Sequence, residues 1–151
     1  MVFLNSSLYF VGLFLLDMCV FPFCFFLSLI LTHLSTFLGY IQKLTYLGNI
    51  TLDFLFEHYA ISKISVLTDM QSPKENDNTY RTYAAYLPLV AACRPDLDEA
   101  AIRRKTLYLI TVMQQMFLRY EIISQILGID LRQKENRRNF HTQVLHDILE
   151  V

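Results

Sequence analysis

The stretch MCVFPFCFFLSLILTHLSTFLGYI, residues 18–41, contains no Asp, Glu, Lys or Arg. As a helix its 24 residues would reach about 36 Å, more than the roughly 30 Å hydrocarbon core of a bilayer. Thirteen of them are Leu, Ile, Val or Phe. On an insertion scale these contribute on the order of −4 to −8 kcal/mol, against which Pro22, His33 and the hydroxyls count only in part. The stretch therefore predicts a transmembrane helix. A cleaved signal peptide is the main rival, but no base precedes the run and it is longer than a typical h-region. A buried core helix is the third reading.

Working outward, the apolar character extends back through LYFVGLFLL, residues 8–16, interrupted only by Asp17. A mid-bilayer Asp costs roughly 2.5–3.5 kcal/mol, so Asp17 is expected at the interface, with one span starting beside it. Forward of the span, LTYLGNITLDFLF, residues 44–56, is too short to cross unaided. Extended to residue 66 it is a candidate second apolar helix, either partly buried in the membrane or lying along its surface. Residues 1–66 thus form the expected membrane region.

Charge divides the chain the same way. Net charge is −1, but all 13 bases lie from Lys43 onward, together with 13 of the 14 acids. The positive-inside rule places the C-terminal side in the cytosol, from a plasma membrane or endoplasmic reticulum location. Hydrophobic residues make up 54% of the chain and charged residues 18%, an apolar front joined to a balanced back. No basic patch points to nucleic acid. Asn5 and Asn49 each begin an N-x-S/T triplet, a pattern too common to carry weight.

Asp53 and Glu57 fall on one helical face with His58 adjacent, an arrangement that proton handling or a metal would require; a solvated face is the plainer reading. His141 and His146 are five apart, not the i, i+4 spacing that aligns two imidazoles for a metal. Cys19, Cys24 and Cys93 form no CxxC and read as small apolar fillers. No phosphate loop, nucleophile elbow or zinc-protease motif is present. No cofactor or metal is expected, and no enzyme.

Residues 67–82, centred on QSPKENDNT, read as a polar linker. Beyond it, residues 83–151 are expected to be a cytosolic helical region. Pro88 interrupts a short apolar piece, and Asp96 or Asp98 is placed to cap the next helix. Ile102, Thr106, Leu109, Met113, Met116, Tyr120, Ile123 and Leu127 then alternate at spacings of four and three. This predicts one amphipathic helix of about seven turns, ended by Gly128, with a seam that must bury against another helix, another subunit or membrane, its width favouring a bundle. The fold class expected is all-α: an integral membrane protein with one N-terminal transmembrane helix, or two, and cytosolic amphipathic helices.

Two segments resemble the bestrophin family of anion channels. Phe21-Pro22-Phe23-Cys24-Phe25-Phe26-Leu27-Ser28-Leu29, ending in Thr32, is similar to that family's pore-lining helix, in which apolar residues recur every four positions after a proline. Ile102-Arg103-Arg104-Lys105-Thr106-Leu107, with Gln114 and Arg119, resembles a cytosolic helix of the family. The resemblance covers about a third of the chain. It implies a chloride or small-anion channel subunit, homo-oligomeric, with Phe21, Phe25 and Leu29 as the pore constriction. Such a ring can gate by dewetting, and Pro22 would permit a bend. The chain departs from the family in having no Trp and in carrying Ser28 where the family has glycine. The alternative is a non-conducting, membrane-anchored helical interaction protein.

Overall fold

The computed structural model describes residues 39–150, which belong to the compact unit Gly39–Val151. Residues 18–38, and with them Phe21, Phe25 and Leu29, lie outside the described residues. Six helices follow one another: α1 (Tyr40–Glu57), α2 (Tyr59–Gln71), α3 (Asn78–Cys93), α4 (Glu99–Leu118), α5 (Tyr120–Leu127) and α6 (Lys134–Leu149). There is no strand among the described residues, and the fold is all-α.

The core forms where α1, α3, α4 and α6 meet. α1 contributes Leu44, Leu47 and Leu52; α3 contributes Tyr86 and Val90; α6 contributes Leu145 and Leu149. α4 passes through the middle and buries Thr106, Leu109, Ile110, Met113, Met116 and Phe117. Its 3–4 spacing is the reason: a stripe that wide can be covered only by several neighbours. Asp98 starts α4 by accepting a hydrogen bond from the Ala101 N–H (2.6 Å), satisfying one of the donors left open at a helix start. Pro88 lies inside α3 without ending it. Both Pro88 and Ala84, whose carbonyl loses its helical partner, are exposed, so the freed group faces outward.

The structure departs from the sequence expectation at three places. The helix expected over 102–127 is divided at Arg119 (φ −122°, ψ 28°) into α4 and α5. Tyr120 turns inward there to join Phe56, Tyr59 and Phe117 in a four-ring cluster with edge-to-face contacts at 5.2–5.7 Å. Gly128 ends α5 in the left-handed conformation (φ 66°), which a side chain would strain.

The apolar segment 44–66 is likewise two helices, divided at His58 (φ −110°, ψ 38°). No helix among the described residues is long and apolar enough to cross a membrane. The candidate second apolar helix over 44–66 is thus spread over two helices, neither of them a span. The polar connection is also shorter than 67–82, since α2 continues to Gln71 and α3 begins at Asn78.

α6 turns Arg137, His141, Leu145 and Leu149 inward, while Phe140, Val144 and Ile148 are half-buried. Arg137 and His141 take the buried line because they find partners on α1.

The end of α6 is held by cations from other helices. Arg94 donates to the Leu149 carbonyl and Lys105 to that of Ile148 (2.5 Å), while both pair with Glu150 (3.3 and 3.2 Å). Positive charge at a helix C-terminus meets carbonyls that have no helical donor.

Candidate functional site

Two features stand out: a buried polar seam between α1 and α6, and apolar side chains left outside on α2 and α5.

The seam begins at Gly48, one turn before Leu52 on α1. A Cβ at Gly48 would overlap the His141 ring, so glycine is what allows α6 to approach. His141 is 1% exposed, and its Nδ1 lies 3.1 Å from Asn49 Oδ1. Its Nε2 is buried with no hydrogen-bond partner. Burial pushes the imidazole pKa down to about 4, because the charged form has no solvent there. The Asn49 side-chain oxygen is thus engaged with α6.

One turn further along, Asp53 meets three cations. Arg137 Nη2 donates to Oδ1 (2.7 Å); Arg138 Nη2 donates to Oδ2 (2.6 Å); Lys134 Nζ lies 3.1 Å from Oδ2. Burial by itself would raise the Asp53 carboxyl, but these donors outweigh it and hold the pKa below the usual carboxylate value. Arg137 is almost wholly buried. It also donates to the carbonyls of Leu131 and Arg132 (3.1 and 3.0 Å) and lies over the Phe56 ring at 4.3 Å. Glu57 stays exposed, 4.0 Å from Lys134. A carboxylate saturated by three cations has no proton to exchange near neutral pH. Asp53 is therefore the centre of an ion cluster with Lys134, Arg137 and Arg138, while Glu57 and His58 stay exposed outside it. Among the described residues no group of His, Cys, Asp and Glu is placed to hold a metal ion.

The seam residues expected to dock a helix fall into two sets. Leu109, Met113, Met116 and Tyr120 are buried within the bundle, with Ile102 half-buried at the start. Past Arg119 the line leaves the bundle: Ile123 is half-buried and Leu127 exposed. Ile122 and Ile126, four apart on the same face of α5, are exposed, Ile126 by 76%. This outward ridge was not marked by the seam periodicity.

α2 is built the wrong way round for a helix in water. At 100° per residue Ser62, Ser65 and Asp69 lie within about 60° of one another. Ser62 is buried, and the Asn78 amide donates to Ser65 Oγ (3.0 Å) and Asp69 Oδ2 (2.9 Å). The opposite side carries Ile64, Leu67 and Met70, with Ile61 at its edge, all four exposed, and shares that side with Lys63, Thr68 and Gln71. Beyond Met70 lies an open groove of about 520 Å³, lined by Pro73, Tyr80, Tyr83 and Leu107 and also by the polar Asp69, Lys74, Asp77, Thr79 and Gln114.

No family model, curated protein or solved structure matches this chain.

Proposed function

We propose that the protein is a membrane-anchored helical interaction protein that associates with a second copy of itself. The uncharged run at 18–41 supplies the anchor. The bundle of residues 39–150 supplies the docking surface. The observation that carries this reading is the break at Arg119, after which Ile122, Ile126 and Leu127 point away from the core. A ridge spaced i, i+4 is suited to pack against its own image across a two-fold axis. Large exposed apolar groups on such a ridge favour association over solvation.

Sedimentation of the full chain in detergent micelles tests it. The wild type is expected to sediment as a dimer or larger assembly. The pair Ile122→Asp and Ile126→Asp is expected to sediment as a monomer while keeping its helical circular dichroism, because both positions lie outside the core. A monomeric wild type, or an assembly untouched by the pair, removes this reading.

A second reading is an anion channel subunit, and the four-residue spacing of Phe21, Phe25 and Leu29, with Pro22 following the first of them, favours it. An assembly could bring these side chains into an apolar ring. Reconstituted full-length protein is then expected to raise chloride flux into liposomes. Phe25→Ala is expected to change that flux by widening the constriction. Flux equal to that of empty liposomes excludes conduction.

A further inference from the structure

We infer that α2 lies in the membrane–water interface, with Ile61, Ile64, Leu67 and Met70 turned into lipid. This rests on the membrane-anchored reading above and adds a second point of lipid contact. The first support is the inversion of α2: it packs on the protein through Ser62, Ser65 and Asp69 and leaves its large apolar side chains outside. A helix solvated by water shows the reverse arrangement. The second is length. Thirteen residues reach about 20 Å, too short to span and long enough to lie flat.

The third support is the chain that leads to it. The uncharged run ends at Ile41, and from there to Glu57 the helix α1 is about 24 Å long. α2 is therefore never more than that helical length, plus one residue, from the end of the expected anchor. The fourth is Lys63, which falls between Met70 and Leu67 on the outward side. Its Nζ lies 3.2 Å from the Tyr59 hydroxyl and 5.3 Å from that ring's centroid. Tyr59 belongs to the ring cluster against Phe117 and Tyr120, so the ammonium is drawn back to a polar group of the protein while the stem stays on the outward face, as in a snorkelling lysine. Between Lys63 and Asp69 the helix carries no charge. A flat docking of this kind draws its strength from apolar area, so it needs no basic stripe.

The experiment uses the full chain, with Cys19, Cys24 and Cys93 replaced by Ala, in vesicles of phosphatidylcholine and phosphatidylglycerol. Single nitroxide labels are placed at Ile64→Cys, Leu67→Cys and, as a water reference, Glu75→Cys in the exposed turn before α3. Collision with oxygen, which concentrates in lipid, is compared with collision with a water-soluble nickel chelate. The labels at 64 and 67 are expected to show an oxygen-to-nickel ratio several-fold above that at 75. A nickel accessibility at 67 equal to that at 75 overturns the inference, because the face is then in water. Shielding from both reagents also overturns it, since a protein then covers the face, and it leaves the self-association reading intact. Extraction of the unlabelled chain from vesicles by carbonate overturns both this inference and the anchor on which it rests.

Discussion

Asp53→Ala is expected to destabilise the bundle by about 3–5 kcal/mol, enough to lower the midpoint of thermal unfolding by roughly 10–20 °C. The reason is the unequal exposure of its three partners. Arg138 and Lys134 have side chains 44% and 53% exposed and can turn back to water when the carboxylate is gone. Arg137, with a side chain 4% exposed, cannot. It would stay buried as a cation facing two carbonyls and a ring, with no anion. Removing one member of a buried pair costs more than the pair contributes, because the remaining charge has neither solvent nor counterion. Arg137→Met is expected to cost less, since Asp53 keeps Arg138 and Lys134 and the methionine fills apolar space against Phe56. Joining the two as Asp53→Leu with Arg137→Met should recover much of the loss. Thermal unfolding of the full chain in detergent, followed by circular dichroism, measures all three. An Asp53→Ala protein within about 1 kcal/mol of wild type would show that the cluster is ornament to the fold.

The all-helical class was legible because the deciding segments repeat at helical spacing over many turns. The α4 stripe from Thr106 to Tyr120 is the strongest case, and the cap at Asp98 and the stop at Gly128 are local signals of well-understood origin. The breaks at His58 and Arg119 were not legible. Neither residue is a glycine or a proline, and the break at Arg119 accompanies the burial of Tyr120 among rings from α1, α2 and α4, a tertiary event with no local trace. The burial of Arg137 and His141 in α6 has a related cause. A reading by hydrophobicity selects Phe140, Val144 and Ile148, whereas packing selected Arg137 and His141, whose partners lie some 84 and 92 positions earlier in the chain. Polar groups that are buried because a distant residue satisfies them look like surface in a sequence. Asp53 shows the same effect: its spacing from Glu57 suggested a shared chemical site, but only one of the two turns inward.

The inverted α2 and the polar seam belong to one pattern. The described bundle buries Lys43, Asp53, Arg137 and His141 while it exposes Ile61, Ile64, Met70, Ile122 and Ile126. Sequence alone distinguishes such a helix poorly from an ordinary amphipathic one, because a helical wheel gives the apolar face but not the side on which the protein lies. The contacts of Ser65 and Asp69 with Asn78 supply that side for α2.

His141 carries the other large effect, and acid is its trigger. Its pKa is about 4 in the folded chain and 6.5 in a solvated one. Folding therefore favours the neutral ring. Above pH 6.5 both states are neutral there and the bundle has its full stability. As pH falls from 6.5 to 4 the unfolded chain takes up a proton that the folded chain refuses, and about 3 kcal/mol is lost. Asp53, with a lowered pKa, acts only in more acid solution, below its ordinary value of 3.8, so the two windows separate. Protonation would place a further cation on α6 one turn after Arg137 and Arg138, with Asn49 Oδ1 able to accept only from Nδ1–H, and leave an Nε2 proton with no acceptor. His141→Met keeps a side chain over Gly48 without a titrating group, and its stability is expected to stay flat between pH 6.5 and 5, above the range in which the ion-paired Glu150 begins to protonate. Gly48→Ala attacks the same contact from the other helix. The ring it meets is 1% exposed and has nowhere to move, so α1 and α6 must separate, at about 1–3 kcal/mol. Adding His141→Ala to Gly48→Ala should give a loss smaller than the sum of the two, because the smaller side chain makes room for the new methyl group. Urea unfolding of the full chain in detergent at pH 7, 6, 5 and 4 reads every one of these differences; a wild type whose midpoint does not move across that range would mean that the imidazole has a route to water and that α6 does not seal against Gly48.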